Sequence, residues 1–137
     1  MKHNIIIDTG PLVAFINARD KYHEWSKQQW ASIAPPLLTC EAVLSETCFL
    51  LRETDGGSEI VLELLKRGVL NLPFRLEDSL EQIKWLLKKY SNVPMSLADA
   101  CLVRMSEIYT NSIVFTLDND FSIYRKNKRN VIPLLAK

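Results

Sequence analysis

Three β-branched residues near the start of the chain, Ile5-Ile6-Ile7, run without a polar interruption and stop at an acid, Asp8. A strand half exposed to water alternates apolar and polar side chains. An uninterrupted run instead fits a strand covered on both faces, as in a parallel sheet. The pattern returns at Ile113-Val114-Phe115-Thr116, which again runs into acids, at Asp118-Asn119-Asp120. Parallel strands need crossover connections, and helical patterns fill the intervals. The spacing of apolar residues, turn residues and prolines predicts helices over 12–17, 21–33, 41–52, 58–67, 77–90 and 96–109. Strand-like runs fall at 37–39 and 69–72, and 131–134 reads as an edge strand where the missing donor of Pro133 is tolerable. Ser58 is the expected N-cap of its helix and Gly68 the C-terminal cap; Val43, Leu44, Thr47, Cys48 and Leu51 are expected to face inward on the helix over 41–52, and Leu80, Ile83, Leu87 and the bulk of Trp85 or Leu86 on the helix over 77–90. Strands alternating with helices give an α/β fold with a mainly parallel central sheet. The 137 residues fit one domain, 1–137, with no repeat or linker.

Charge and cysteine usage exclude several classes. Seventeen basic and sixteen acidic residues leave a formal charge of +1, so affinity for nucleic acid cannot rest on overall charge and phosphate contacts must be local. Cys40, Cys48 and Cys101 form no C-x-x-C pair, and neither His3 nor His23 stands at ligand spacing from a cysteine, so the thiols read as free and buried rather than zinc-bound. Asp8 interrupts the N-terminal apolar run too early for a signal peptide. No run approaches the roughly 20 apolar residues of a membrane span, and a cytoplasmic protein is expected.

Four acids, Asp8, Glu46, Asp99 and Asp118, lie inside or at the end of apolar segments. Ionised carboxylates on such surfaces cost several kcal/mol unless paired or metal-bound. Ligand sites of open α/β sheets form beyond the carboxyl ends of the strands, and Asp8 and Asp118 stand at two of those ends. Asp8 also suits a helix cap before Pro11. Glu46 is flanked at helical spacing by Ala42, Val43, Phe49 and Leu50, which predicts a core-facing carboxylate held by a metal or by Arg52 or Arg104. Ser96-Leu97-Ala98-Asp99 fits an S-x-x-D capping pattern, which explains Asp99 locally as well as ligation does. Thr116 is placed to orient a carboxylate, with Asp120 in the same turn. From Phe121 to Lys137 there is no acid, and Arg125, Lys126, Lys128 and Arg129 follow the Asp118 loop as a basic face or an RNA-docking strip.

These segments together resemble the PIN-domain ribonucleases, in particular the toxin components of toxin-antitoxin pairs. Ile5-Ile6-Ile7-Asp8-Thr9-Gly10-Pro11-Leu12 resembles the family's opening strand and first acid, and Asp20-Lys21-Tyr22-His23 its D-x-x-H. Val43-Leu44-Ser45-Glu46 and Leu97-Ala98-Asp99-Ala100 are similar to the second and third acidic motifs, and Thr116-Leu117-Asp118-Asn119-Asp120-Phe121 to the closing T-x-D-x-D-F. Gly10-Pro11 departs from the small polar and aliphatic residues usual there. The resemblance implies a three-layer α/β/α sandwich and an endoribonuclease. It also implies Mg²⁺ or Mn²⁺ held by Asp8 and Asp99, with Glu46 and Asp118 completing the site directly or through water. It implies RNA as substrate, a homodimer and a cognate antitoxin as partners.

Two other classes fit the residues less well. A haloacid-dehalogenase phosphatase needs a second aspartate where Gly10 stands, and a response-regulator receiver wants an acidic pair near the first strand and a lysine ending a later one. A non-catalytic RNA- or partner-binding domain would leave four converging acids without a purpose.

Overall fold

The computed structural model describes residues 3–137. Strand β1 (Asn4–Ile7) is followed by helices α1 (Thr9–Ile16) and α2 (His23–Ala31), strand β2 (Leu37–Leu38), helices α3 (Glu41–Leu50) and α4 (Gly57–Lys66), and strand β3 (Leu70–Asn71). A 3₁₀ turn (Leu76–Ser79) leads into α5 (Leu80–Lys89), then α6 (Leu97–Ile108) and β4 (Ser112–Phe115). A second 3₁₀ turn (Asn119–Ser122) precedes β5 (Arg125–Lys126), β6 (Asn130–Val131) and β7 (Leu134–Leu135).

The central sheet has the order β3-β2-β1-β4-β7, and every pair in it is parallel. This is the parallel α/β architecture expected, with helices flanking the sheet. Ile6, Ile7, Val114 and Phe115 are fully buried, as strands covered on both faces require. From β1 the chain passes to β2 on one side, while β4 lies on the other, so the sheet's switch point falls between β1 and β4. Both strands end there in acidic segments.

The D-x-x-H segment has a structural task. Asp20 Oδ1 accepts the Tyr22 amide at 2.9 Å, and His23 Nδ1–H donates to the Ala14 carbonyl at 2.7 Å. Ser26 Oγ donates to the Pro11 carbonyl at 2.7 Å, so α2 is pinned to α1 at two levels. Phe15 stacks on Trp30, and Trp25 meets Phe115 edge-on.

Several elements differ from the sequence-based expectation. Helix α4 begins one residue earlier, capped by the left-handed Gly56 instead of Ser58, while Gly68 (φ +74°) closes it as expected. Leu80 is exposed, because a 3₁₀ turn precedes α5 and the buried positions there are Ile83 and Leu86. Val131 belongs to an antiparallel hairpin with β5, and Leu134–Leu135 supplies the edge strand beside β4. Cys40 and Cys101 are buried, Cys48 is half buried, and all three are free.

Candidate metal centre

The β1 backbone delivers Asp8 to the sheet edge, where its amide donates to the Phe115 carbonyl at 2.9 Å. Its side chain does two things at once. Oδ1 accepts the Thr9 amide at 2.7 Å and caps α1; Oδ2 accepts the Thr116 hydroxyl at 2.8 Å. The capping and ligating readings of Asp8 are thus compatible. Thr116 Oγ1 in turn accepts the Asp118 amide at 2.9 Å, and Asp118 Oδ1 accepts the Asp120 amide at 2.9 Å. One hydroxyl therefore orders the ends of two neighbouring strands.

Asp99 enters from α6. The Ser96 hydroxyl accepts the Asp99 amide at 3.0 Å, so the S-x-x-D cap does form, and it sets the helix start that carries the carboxylate. Asp99 Oδ2 accepts the Tyr124 hydroxyl at 2.9 Å. Tyr124 is fully buried and braced edge-on by Tyr90 and Phe121. Capping and convergence are again not alternatives.

One oxygen from each of Asp8, Asp99 and Asp118 lies within 4.8 Å of the others. Two oxygens on one hard cation at about 2.0–2.6 Å stand at most roughly 4 to 5 Å apart, so this set fits such an ion. Its donors are all carboxylate oxygens, the choice of Mg²⁺ or Mn²⁺ rather than zinc. Thr9 Oγ1, buried next to Asp8, has no hydrogen-bond partner and adds an uncommitted oxygen beside the cluster. Burial pushes the Asp8 carboxyl up to about 6 against the pull of its hydrogen bonds, with Asp99 and Asp118 adding smaller repulsions. Burial also raises Asp99, against the Tyr124 bond. A divalent cation bound among these oxygens would offset this accumulated cost.

Glu46 departs from its expected setting. It is exposed, as are Phe49 (61%) and Leu50 (49%), because the inward face of α3 is Val43, Leu44 and Thr47. Neither proposed arginine pairs with it: Arg52 donates to the Phe49 carbonyl, and Arg104 engages Glu107. Glu46 nevertheless borders the same cleft of about 590 Å³ as Asp8, Thr9 and Asp118. Gly10 lines it too. A Cβ there would come within 3.2 Å of Leu117 Cβ, which accounts for glycine at this departure from the usual motif.

The basic strip forms the β5–β6 hairpin. Arg125 Nη1 is occupied by the carbonyls of Ser122, Ile123 and Tyr124, whereas Lys128 and Arg129 are exposed. Sequence reasoning did not single out Thr9 or give Tyr124 its task. Thr9 could have been found by its place directly after the first acid, at the first position of a helix. Tyr124 carried no local signal, because its partner is 25 residues away.

A parallel sheet with three carboxylates gathered at its switch point defines a class of α/β protein with an acidic centre suited to a hard cation. Residues 5–127 match the PIN domain, and the chain belongs to the PIN-domain family. It is 28% identical over 116 residues to Ribonuclease VapC26 of Mycobacterium tuberculosis, covering 83% of this chain and 86% of that protein. The crystal structure of Mycobacterium tuberculosis VapC20, a sarcin-ricin loop cleaving toxin, superposes with a TM-score of 0.72 at 27% identity. That match covers 88% of this chain and 94% of the other. The chain is thus similar to VapC proteins over most of its length.

Proposed function

We propose that residues 1–137 form a single Mg²⁺- or Mn²⁺-dependent endoribonuclease domain, the toxin of a toxin-antitoxin pair acting in the cytoplasm. The observation that carries this reading is the convergence of Asp8, Asp99 and Asp118 oxygens within 4.8 Å from three separate elements. Asp8, Asp99 and Asp118 would hold the cation, and Glu46, which borders the same cleft as Asp8 and Asp118, would complete the site directly or through water. When bound, the cation supplies charge neutralisation at the scissile phosphate and lowers the pKa of an attacking water. Thr116 fixes Asp8, and Tyr124 fixes Asp99, so the ligands are ordered before substrate arrives. Asp120 supports the turn that presents Asp118. Lys126, Lys128 and Arg129 supply local phosphate contacts, and Arg125 shapes the strip through the carbonyls it holds. The relatives' names, a ribonuclease and an RNA-loop cleaving toxin, support RNA as the substrate class. A cognate antitoxin and a second copy of this chain are the proposed protein partners.

Purified protein should cleave RNA with Mg²⁺ or Mn²⁺ and stop on chelation. Asp8→Asn and Asp99→Asn should lose that activity while keeping the wild-type circular dichroism spectrum. Undiminished cleavage by both variants would trace the activity to a contaminant and remove the proposal's basis.

A further inference from the structure

Away from the acidic cleft, the tip of the β5–β6 hairpin rests on α5 and α6 beside a depression of about 530 Å³. Residues 127–129 join Lys126 to its strand partner Asn130, and within this loop Asn127 (φ 51°) and Lys128 (φ 69°) both adopt left-handed backbone, although neither is glycine. A chain of polar contacts holds them there. Ser79 Oγ accepts Arg104 Nε at 3.0 Å, Arg104 Nη1 donates to Glu107 Oε1 at 3.2 Å, and Glu107 Oε2 accepts the Asn127 amide at 2.7 Å. The outcome is that Lys128 Nζ stands 5.0 Å from the ring centroid of Trp85, a tryptophan left 38% exposed.

The same hairpin is tied to the acidic centre at its other end, where Tyr124 donates to Asp99. Asp99 and Glu107 are eight residues apart on α6, about 12 Å of helix. The hairpin therefore runs from the acidic centre to Trp85 through a segment, 121–137, that contains no acid. Of the two acids bordering the depression, Glu107 is committed to Arg104 and Asn127, and Glu81 lies 3.7 Å from Lys84.

We infer that Trp85 and the hairpin tip form a second RNA-contact site. A nucleobase of a single strand leaving the acidic cleft stacks on the Trp85 ring, and Lys128 turns from the ring to the adjoining phosphate. Base stacking on an aromatic platform is sequence-tolerant, and a cation beside it serves the backbone. Charge favours RNA over an acidic protein segment only together with the exposed indole, since a peptide would need no flat ring facing solvent. This inference rests on the ribonuclease reading of the acidic centre.

The test uses the full chain with Asp99→Asn to prevent cleavage, and a single-stranded RNA of about a dozen nucleotides. Adding Trp85→Ala should weaken binding roughly five- to hundredfold, the range for loss of one stacked base, and Trp85→Phe should restore most of it. RNA should quench tryptophan fluorescence in the Trp85 chain and not in the Trp85→Phe chain, where only Trp25 and Trp30 remain. In the otherwise wild-type chain, Trp85→Ala should leave metal-dependent turnover of a dinucleotide unchanged, because so short a substrate does not reach the tip. Equal RNA affinity with and without Trp85 overturns the inference. So does a parallel loss of dinucleotide turnover, or a change in oligomeric mass that marks the face as a contact between copies. If the wild-type chain cleaves neither RNA nor dinucleotide with metal, the ribonuclease reading fails, and the binding comparison still decides the hairpin site.

Discussion

The hydroxyl of Thr116 donates to Asp8 Oδ2 at 2.8 Å, joining the carboxyl ends of two adjacent parallel strands through side chains 108 residues apart. Because the same oxygen accepts the Asp118 amide, one atom sets the spacing of two of the three clustered acids. Thr116→Val keeps the shape and removes both bonds. A hydrogen bond to a charged group contributes about 1.5–3 kcal/mol, and losing a group that orients a ligand typically lowers activity or metal affinity about 10- to 100-fold. The expected result is a lower melting temperature and a fall in RNA cleavage of that order, with Thr116→Ser recovering most of both. A valine variant with wild-type turnover would show that Asp8 needs no such support.

The pH dependence of the metal-free chain follows from Asp8. Its folded pKa of about 6 lies above the ordinary value of 3.8, so between those values the folded state binds more protons than the unfolded one. The contribution of Asp8 to stability is fully present below about pH 4 and is lost as pH rises through about 6. The loss is on the order of 3 kcal/mol for a group this buried. Asp99, also raised, acts in the same direction. Asp8→Asn, which carries no charge, should therefore melt higher than wild type at pH 7.5 in chelator, and the difference should shrink toward pH 4. Parallel melting curves for the two chains across that range would contradict the assignment.

Metal should reverse the penalty. A ligand that binds only the folded chain stabilises it by about 2.7 kcal/mol at one hundred times its dissociation constant. For a domain of this size that is on the order of 10 °C. Mg²⁺ or Mn²⁺ at millimolar concentration should raise the melting temperature of wild type and leave Asp8→Asn unmoved. A shift of equal size in both would place the ion elsewhere.

Tyr124→Phe removes only the donor to Asp99 Oδ2 from a fully buried ring braced by Tyr90 and Phe121. The packing remains, so the fold should survive with a loss of about 1.5–3 kcal/mol. Asp99 loses a bond that lowers its pKa, so its carboxyl should rise further, and metal binding should weaken most at acidic pH. Calorimetric titration with Mn²⁺ at two pH values reads this directly; an unchanged affinity at both would mean that Tyr124 serves the core alone.

What could be read from the residues divides along physical lines. Continuous β-branched runs gave β1 and β4, because full burial on both faces leaves a one-dimensional mark. Their terminal acids then met through topology that a pattern of alternating strands and helices already implies. The S-x-x-D cap at Ser96 was equally local. The inward face of α3 was legible in Val43, Leu44, Thr47 and Leu51, all buried, whereas the apolar neighbours of Glu46 misled, because Phe49 and Leu50 lie exposed beside it. Leu80 misleads in the same way. Tyr124 and the Asn127–Lys128 turn depend on partners on α6, so neither leaves a signal in its own neighbourhood.

The exposure of Glu46 turns its role into a separable question. A solvated glutamate without a cation partner contributes little to stability, and substitutions at such positions usually stay within about 0.5 kcal/mol. Glu46→Gln should therefore leave the metal-free melting curve unchanged, in contrast to the buried Asp8. If Glu46 reaches the cation from its place in the same cleft, directly or through water, the same variant should lose RNA cleavage by about tenfold or more and bind Mn²⁺ more weakly. A chain that keeps wild-type cleavage and metal affinity would reduce the centre to its three clustered aspartates and leave Glu46 as part of the exposed surface that Phe49 and Leu50 share.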